Sequence, residues 1–368
     1  MNKVPFLDLK AQYLFLKNEI DNAISSVINE TAFIGGKYVK SFEKQFSDVY
    51  RVKHCIGVAN GTDAIYITLK MLGIGLGDEV ITTSSSWIST SETISLTGAR
   101  PVFVDIDKFY TIDANLIERA ITPKTKAIIP VHLYGQPAEM DKIVEIGKKH
   151  NLYVIEDCAQ SHFSIFKELK VGTFGIASTF SFYPGKNLGA YGDAGCILTN
   201  NDTLAEKCRM YANHGALVKH THLIEGINSR LDGLQAAILS VKLPYIHDWT
   251  VKRQENAKLY TSLLKEIEIV KTPEVRNNSE HTFHLYVIKV KDRDNLKKYL
   301  YDNGIETAIH YPVALPFMPA YSYLKYTKED FPKSFAHHAQ ILSLPMYPEL
   351  GIESIKYVVE TIKSFYKK

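Results

Sequence analysis

Between about residues 50 and 200 the chain alternates short strand-like runs with longer helix-like ones, and this alternation restricts its fold more than any other feature. Residues 64–72 (AIYITLKML) show helical spacing, and 79–83 (EVITT) read as a strand. Trp87 to Leu96 returns to helix and 101–104 (PVFV) to strand. The apolar run 127–131, a helix near 138–150, a strand over 152–155 and strand-like 177–181 continue the series. Short β-rich runs separated by helical patterns of roughly 10–15 residues indicate βα units on a mostly parallel sheet, covered on both faces. Ligands of such sheets collect at the carboxyl ends of the strands. Polar residues just after each apolar run are therefore the candidates for chemistry.

The rest of the chain reads differently. A long helical pattern from about 228 to 264 leads into a strand over Phe283–Val290 and a helix over Asp292–Asn303. Two late helices follow near 334–342 and 353–366. With 368 residues and roughly 150 per domain, two domains are expected. The division predicted is a large α/β domain with an N-terminal helix over 1–249 and a smaller α+β domain over 250–368.

Composition removes several function classes. The 43 basic and 40 acidic residues leave a formal charge of +3 without any Lys/Arg-rich run, so the footprint of a nucleic-acid binder is missing. No apolar stretch approaches the roughly 20 residues of a membrane span. Charges interrupt the first twenty residues every few positions, which excludes a secretory segment there. Cys55, Cys158, Cys196 and Cys208 stand far apart without CxxC spacing, which argues against a disulfide framework and against structural zinc. The expectation is a cytoplasmic protein with no metal, no nucleic-acid partner and no membrane association.

Three features could carry chemistry. The first is Asn60-Gly61-Thr62-Asp63-Ala64 at a helix start, where a turn glycine, a hydroxyl and free N–H groups suit a phosphate. Taken alone it reads as an N-cap with a turn glycine. The second, EDCAQSH (156–162), puts two acids, a glutamine and a histidine directly after a strand, as a ligand site or as a helix cap. The third, SFYPGKNLGAYGDAG (181–195), holds Lys186 between glycine-containing turns; a lysine can act as a Schiff-base nucleophile when its surroundings lower its pKa, or simply sit exposed on a loop. Together they form a phosphate cradle, a carboxylate and a lysine at the strand ends of one sheet, the set that pyridoxal phosphate requires.

With those motifs in view, the chain resembles the DegT/DnrJ/EryC1/StrS family of sugar aminotransferases from Pro5 to Met346, through NGTDA (60–64), GDEVIT (77–82), PVFVDID (101–107), EDCAQSH, SFYPGKNLGAYGDAG and NSRLDGLQAAIL (228–239). Phe163-Ser164 departs from the Gly-Ala common in the family after the histidine. The resemblance implies the type I fold of pyridoxal-phosphate-dependent transferases and a homodimer with shared active sites. It implies that Lys186 is the covalent attachment point and proton carrier and that Asp157 pairs with the pyridine nitrogen. Gln160 would bond the ring hydroxyl, and Trp87 of SSSWIST (84–90) would stack on the ring. Gly61, Thr62 and Ser181 would hold the phosphate, joined by Asn228 of the partner subunit. His162, Tyr183, Arg230, His310 and Tyr311 are the implied substrate contacts.

Amino transfer from L-glutamate to a nucleotide-linked ketosugar is the implied activity, because the position held by histidine in dehydrating relatives is Lys186 here. The stretches 86–93, 225–230 and 310–323 look most like members that aminate dTDP-3-keto-6-deoxyhexoses to 3-amino-3,6-dideoxy sugars of the quinovose or fucose series. The alternatives are a 4-aminotransferase on a UDP- or dTDP-4-keto-6-deoxysugar and a regulator of the same fold that binds without turnover.

Overall fold

Seven strands build the main sheet: β1 (His54–Val58), β2 (Glu79–Thr83), β3 (Arg100–Val104), β4 (Thr125–Ile129), β5 (Tyr153–Asp157), β6 (Ala177–Ser181) and β7 (Gly195–Thr199). These come from a computed structural model that describes residues 3–367; residues 1, 2 and 368, the outermost positions of the expected division, lie outside the described residues. The spatial order is β1-β7-β6-β5-β4-β2-β3. Every neighbouring pair is parallel except the two made by β7. The carboxyl ends of β1, β2, β5 and β6 therefore share one edge, where α/β sheets take their ligands.

The near-continuous apolar runs follow from burial on both faces. Val80 and Ile129 pack with Ile65 and Leu69 of the helix Gly61–Met71. Their strand neighbours Ile81 and Ile128 pack on the other side, with Ile143 of the helix Met140–Lys149 and Phe42 of the helix Gly36–Tyr50 in the same cluster. Each such fully buried side chain contributes roughly 1.5–3 kcal/mol.

A second core gathers around the antiparallel pair β8 (Tyr286–Lys289) and β9 (Ile341–Leu344), against helices Arg293–Asp302 and Ile352–Tyr366. Val4 also belongs to it, bridged to Ile305. The helix Ile246–Leu264 begins in the first core with Ile246 and Trp249 and ends in the second with Tyr260 and Leu264, so the 249/250 position falls inside one continuous helix.

Local boundaries differ from the sequence expectations for physical reasons. The helix expected from 64 starts at Gly61, because the Asn60 side chain accepts from the Asp63 N–H at 2.8 Å and caps it. The single pattern over 228–264 is two helices, Gly233–Lys242 and Ile246–Leu264, parted by a 3-10 turn at Pro244, which cannot donate to a helical ladder. The strand expected from Phe283 begins only at Tyr286, since Phe283 takes a φ of 43°. The late helix runs from Pro332 to Gln340, and Ile341–Leu344 leaves it to pair with β8.

Candidate active site

A cavity of about 610 Å³ opens at the carboxyl edge of the sheet, within the range of small-molecule sites. Gly61 and Thr62 reach it from the helix after β1, Trp87 from the loop after β2, Asp157 and Gln160 from the end of β5, and Ser181, Tyr183 and Lys186 from β6 and its following loop. His310 and Tyr311 close it from the second core's side. Residues from Phe6 to Met346, 340 positions apart in the chain, thus meet at one place.

The anion end is built by close approach. A Cβ on Gly61 would lie 2.7 Å from the Ser181 Cβ, so only glycine lets the helix N-terminus and Ser181 stand side by side. The first-turn N–H groups have no intrahelical acceptor, and Thr62 and Ser89 hydroxyls meet at 2.7 Å beside them. This cradle fits a phosphate.

The two acids at the end of β5 have opposite fates, as strand alternation requires. Asp157 turns to the cavity, where Oδ2 accepts from Thr90 Oγ1 at 2.8 Å and Oδ1 from the Ala159 N–H at 3.1 Å. Glu156 turns inward and is fully buried, accepting from the N–H groups of Gly172, Phe174 and Gly175 at 2.7–2.9 Å and from His132 Nε2 at 3.1 Å. His132 Nδ1 in turn accepts from the Ala138 N–H, so Nε2 carries the hydrogen. Ligand atoms of Glu156, His132 and Cys158 lie within 4.8 Å of one another, but backbone amides and His132 engage the Glu156 oxygens, and the Ala138 N–H engages His132 Nδ1.

Burial pushes the Lys186 amine down to about 8, with the negative charge of Asp157 pulling the other way. Gln160 is engaged at both ends of its amide: Oε1 accepts from the Tyr134 N–H at 2.8 Å and Nε2 donates to the Tyr311 oxygen at 3.0 Å. Trp87, half exposed, sits 5.4 Å from the Tyr311 ring. Phe6, at the start of the chain, stacks on His310 at 5.6 Å.

Three expected residues are placed elsewhere. His162 is fully buried with its ring against Phe180 and Phe182, and does not line the cavity; its expected contact with substrate gives way to packing behind β6. Burial pushes its pKa down to about 3. Arg230 and the exposed Asn228 lie around Asn213, away from the cavity of their own chain. The departure at Phe163-Ser164 is local packing: Phe163 takes a φ of 65°, a region that favours glycine, yet its N–H donates to the Tyr50 oxygen at 2.9 Å and its ring lies 5.1 Å from that of Tyr50. The Ser164 hydroxyl donates to the Gly135 carbonyl at 2.8 Å, away from Lys186.

Other lining residues escaped the motif reading. Thr90 and Ser86 stand behind Asp157, and the run of hydroxyls in SSSWIST was their signal. His284 and Met346 come from the second core's side and Leu7 from the N-terminus; no local pattern distinguishes them.

A model of the DegT/DnrJ/EryC1/StrS aminotransferase family matches residues 15–363. A protein named pleiotropic regulatory protein from Geobacillus stearothermophilus is 48% identical, with 99% of each chain covered. The dTDP-3-amino-3,6-dideoxy-alpha-D-galactopyranose transaminase of Aneurinibacillus thermoaerophilus is 44% identical, covering 98% of this chain and 99% of its own. The crystal structure of S. venezuelae DesV in complex with a ketimine intermediate superposes with a TM-score of 0.97 at 38% identity, with both chains covered in full.

Proposed function

The chain belongs to the DegT/DnrJ/EryC1/StrS aminotransferase family, a pyridoxal-phosphate-dependent family, and from that premise we propose that it moves the amino group of L-glutamate to a dTDP-linked 3-keto-6-deoxyhexose. The product would be a 3-amino-3,6-dideoxyhexose of the fucose or quinovose series. The observation that carries this reading is that Lys186 and Asp157 line one cavity with the anion cradle of Gly61, Thr62 and Ser181.

Pyridoxal phosphate, when bound, supplies the electron sink that lets an amino acid lose its α-proton. The chain's own groups do the rest. Gly61, Thr62 and Ser181, with Asn228 of the partner subunit, would hold the phosphate. Asp157, fixed by two donors, would pair with the pyridine nitrogen and favour its protonated form. Trp87 would stack on the ring, and Gln160 would bond its hydroxyl. Lys186, whose amine burial brings down to about 8, takes and returns the proton at the reacting carbon. Tyr183, His310 and Tyr311 contact the sugar nucleotide, with Arg230 reaching it from across a dimer interface. The exposed apolar residues Leu217, Val218 and Leu223, in and beside the hairpin 216–222, support a homodimer. We place the enzyme in the cytoplasm and its large and small domains at 1–249 and 250–368; among the described residues no helix is long and apolar enough to cross a membrane.

The Geobacillus relative's name favours a second reading, in which sugar-nucleotide binding serves regulation. The test is a protein loaded with pyridoxal phosphate: its absorbance band should bleach with L-glutamate, and the Lys186→Ala variant should fold but lose all turnover. A band that persists in glutamate, or turnover in the variant, overturns the proposal. Product analysis with dTDP-3-keto and UDP-4-keto substrates decides the sugar.

A further inference from the structure

His284 lines the same cavity as Lys186, and no step assigned above uses it. The chain turns through Phe283 at its φ of 43° and delivers His284 and Leu285 to the cavity wall. The hydrogen on the ring is fixed by its neighbours. Asn187, almost fully buried, donates from Nδ2 to the Thr282 carbonyl at 3.2 Å. A carbonyl only accepts, so the amide cannot be reversed, and its Oδ1 faces His284 Nδ1 at 3.2 Å. That oxygen only accepts as well, so Nδ1 carries the hydrogen. Burial pushes the ring's pKa well below its usual value, and the positive charges of Lys186 and Arg253 add to the effect. Nε2 therefore keeps a bare lone pair at neutral pH. It makes no hydrogen bond among the described residues and is not sealed from the cavity.

We propose that Nε2 of His284 accepts a hydrogen bond from a hydroxyl of the sugar-nucleotide substrate and is a specificity-determining residue of this site. The inference rests on reading the cavity as a sugar-nucleotide site. Apart from its reacting amino group, glutamate meets a bare nitrogen with carboxylates, which offer lone pairs and no hydrogen, whereas a hexose is ringed by O–H donors. The same residue thus favours one of the two substrates that share the site.

Two measurements test it. Nitrogen-15 imidazole NMR of the cofactor-free chain at pH 7 should show one ring, lost in His284→Phe, with Nδ1 protonated and Nε2 bare. In the loaded enzyme, His284→Phe should raise KM for the sugar nucleotide about tenfold, the worth of one buried hydrogen bond. The glutamate half-reaction should stay within about twofold, and His284→Gln, which keeps an acceptor oxygen, should recover most of the loss. A hydrogen on Nε2, or normal sugar turnover with an unchanged KM in His284→Phe, overturns the proposal alone. A wild-type enzyme that aminates no nucleotide ketosugar overturns it together with the functional reading.

Discussion

Thr90 Oγ1 donates to Asp157 Oδ2 across 2.8 Å, and Ser86 Oγ stands 2.9 Å behind that hydroxyl. With the Thr90 hydrogen committed to the carboxylate, Ser86 must donate to Thr90, so a relay of hydroxyls from the loop after β2 and the first turn of the helix Ser89–Leu96 aims the acid that ends β5. Polarised chains of this kind strengthen each bond in them.

Thr90→Val keeps the shape and removes the donor. Hydrogen bonds to charged groups are worth about 1.5–3 kcal/mol, so the dissociation constant of pyridoxal phosphate should rise about tenfold or more. Titration of cofactor-free protein by absorbance measures it, and an unchanged constant would show that Asp157 needs no such aim.

The Lys186 amine attacks only when unprotonated, and burial pushes its pKa down to about 8 against the opposing pull of Asp157. The rate at which cofactor-free protein captures pyridoxal phosphate should climb through about pH 8 and then level. Removing the acid's charge in Asp157→Asn should move the midpoint to lower pH. A wild-type midpoint near the ordinary lysine value of 10.5 would contradict the desolvation argument.

Burial pushes His162 and His281 down to about 3 from the usual 6.5. Between those values the unfolded chain binds protons that the folded chain refuses, so stability falls as pH drops from about 6.5 toward 3. From pH 7 to 5 each such histidine costs about 2 kcal/mol. His162→Leu should lose that much less than wild type in denaturant unfolding at the two pH values, and identical losses would rule out a neutral buried His162.

Glu156→Gln replaces a carboxylate that accepts four hydrogen bonds by an amide with one accepting end. Backbone N–H groups of the 172–175 turn lose their partner, at a cost of about 3 kcal/mol. Calorimetry should show a melting temperature lowered by several degrees. An unaltered value would mean that the turn finds other acceptors.

The architecture was legible because its signals are local. A βα alternation, a capped helix after Asn60 and a lysine between glycines are properties of neighbouring residues, and they sufficed for the parallel sheet and for the motifs at its carboxyl edge. Expectations slipped where distant partners decide. Ile341–Leu344 has helix-compatible neighbours and becomes a strand only because β8 offers it a ladder. Pro244 is a local signal inside the helical pattern over 228–264, and it parts that pattern into two helices.

The chain's own order of residues thus determined the strand and helix pattern, the lysine, the acid and the glycine turn before the helix at Gly61, since each depends on spacings of a few residues. Tertiary packing alone decided that Asp157 faces the cavity while Glu156 is spent on a turn, that His162 is walled in by Phe180 and Phe182, and that Thr90 and His284 arrive beside Asp157 and Asn187. Which side of a strand is hollow and which is filled is set by what packs there, and those groups lie tens to hundreds of positions away.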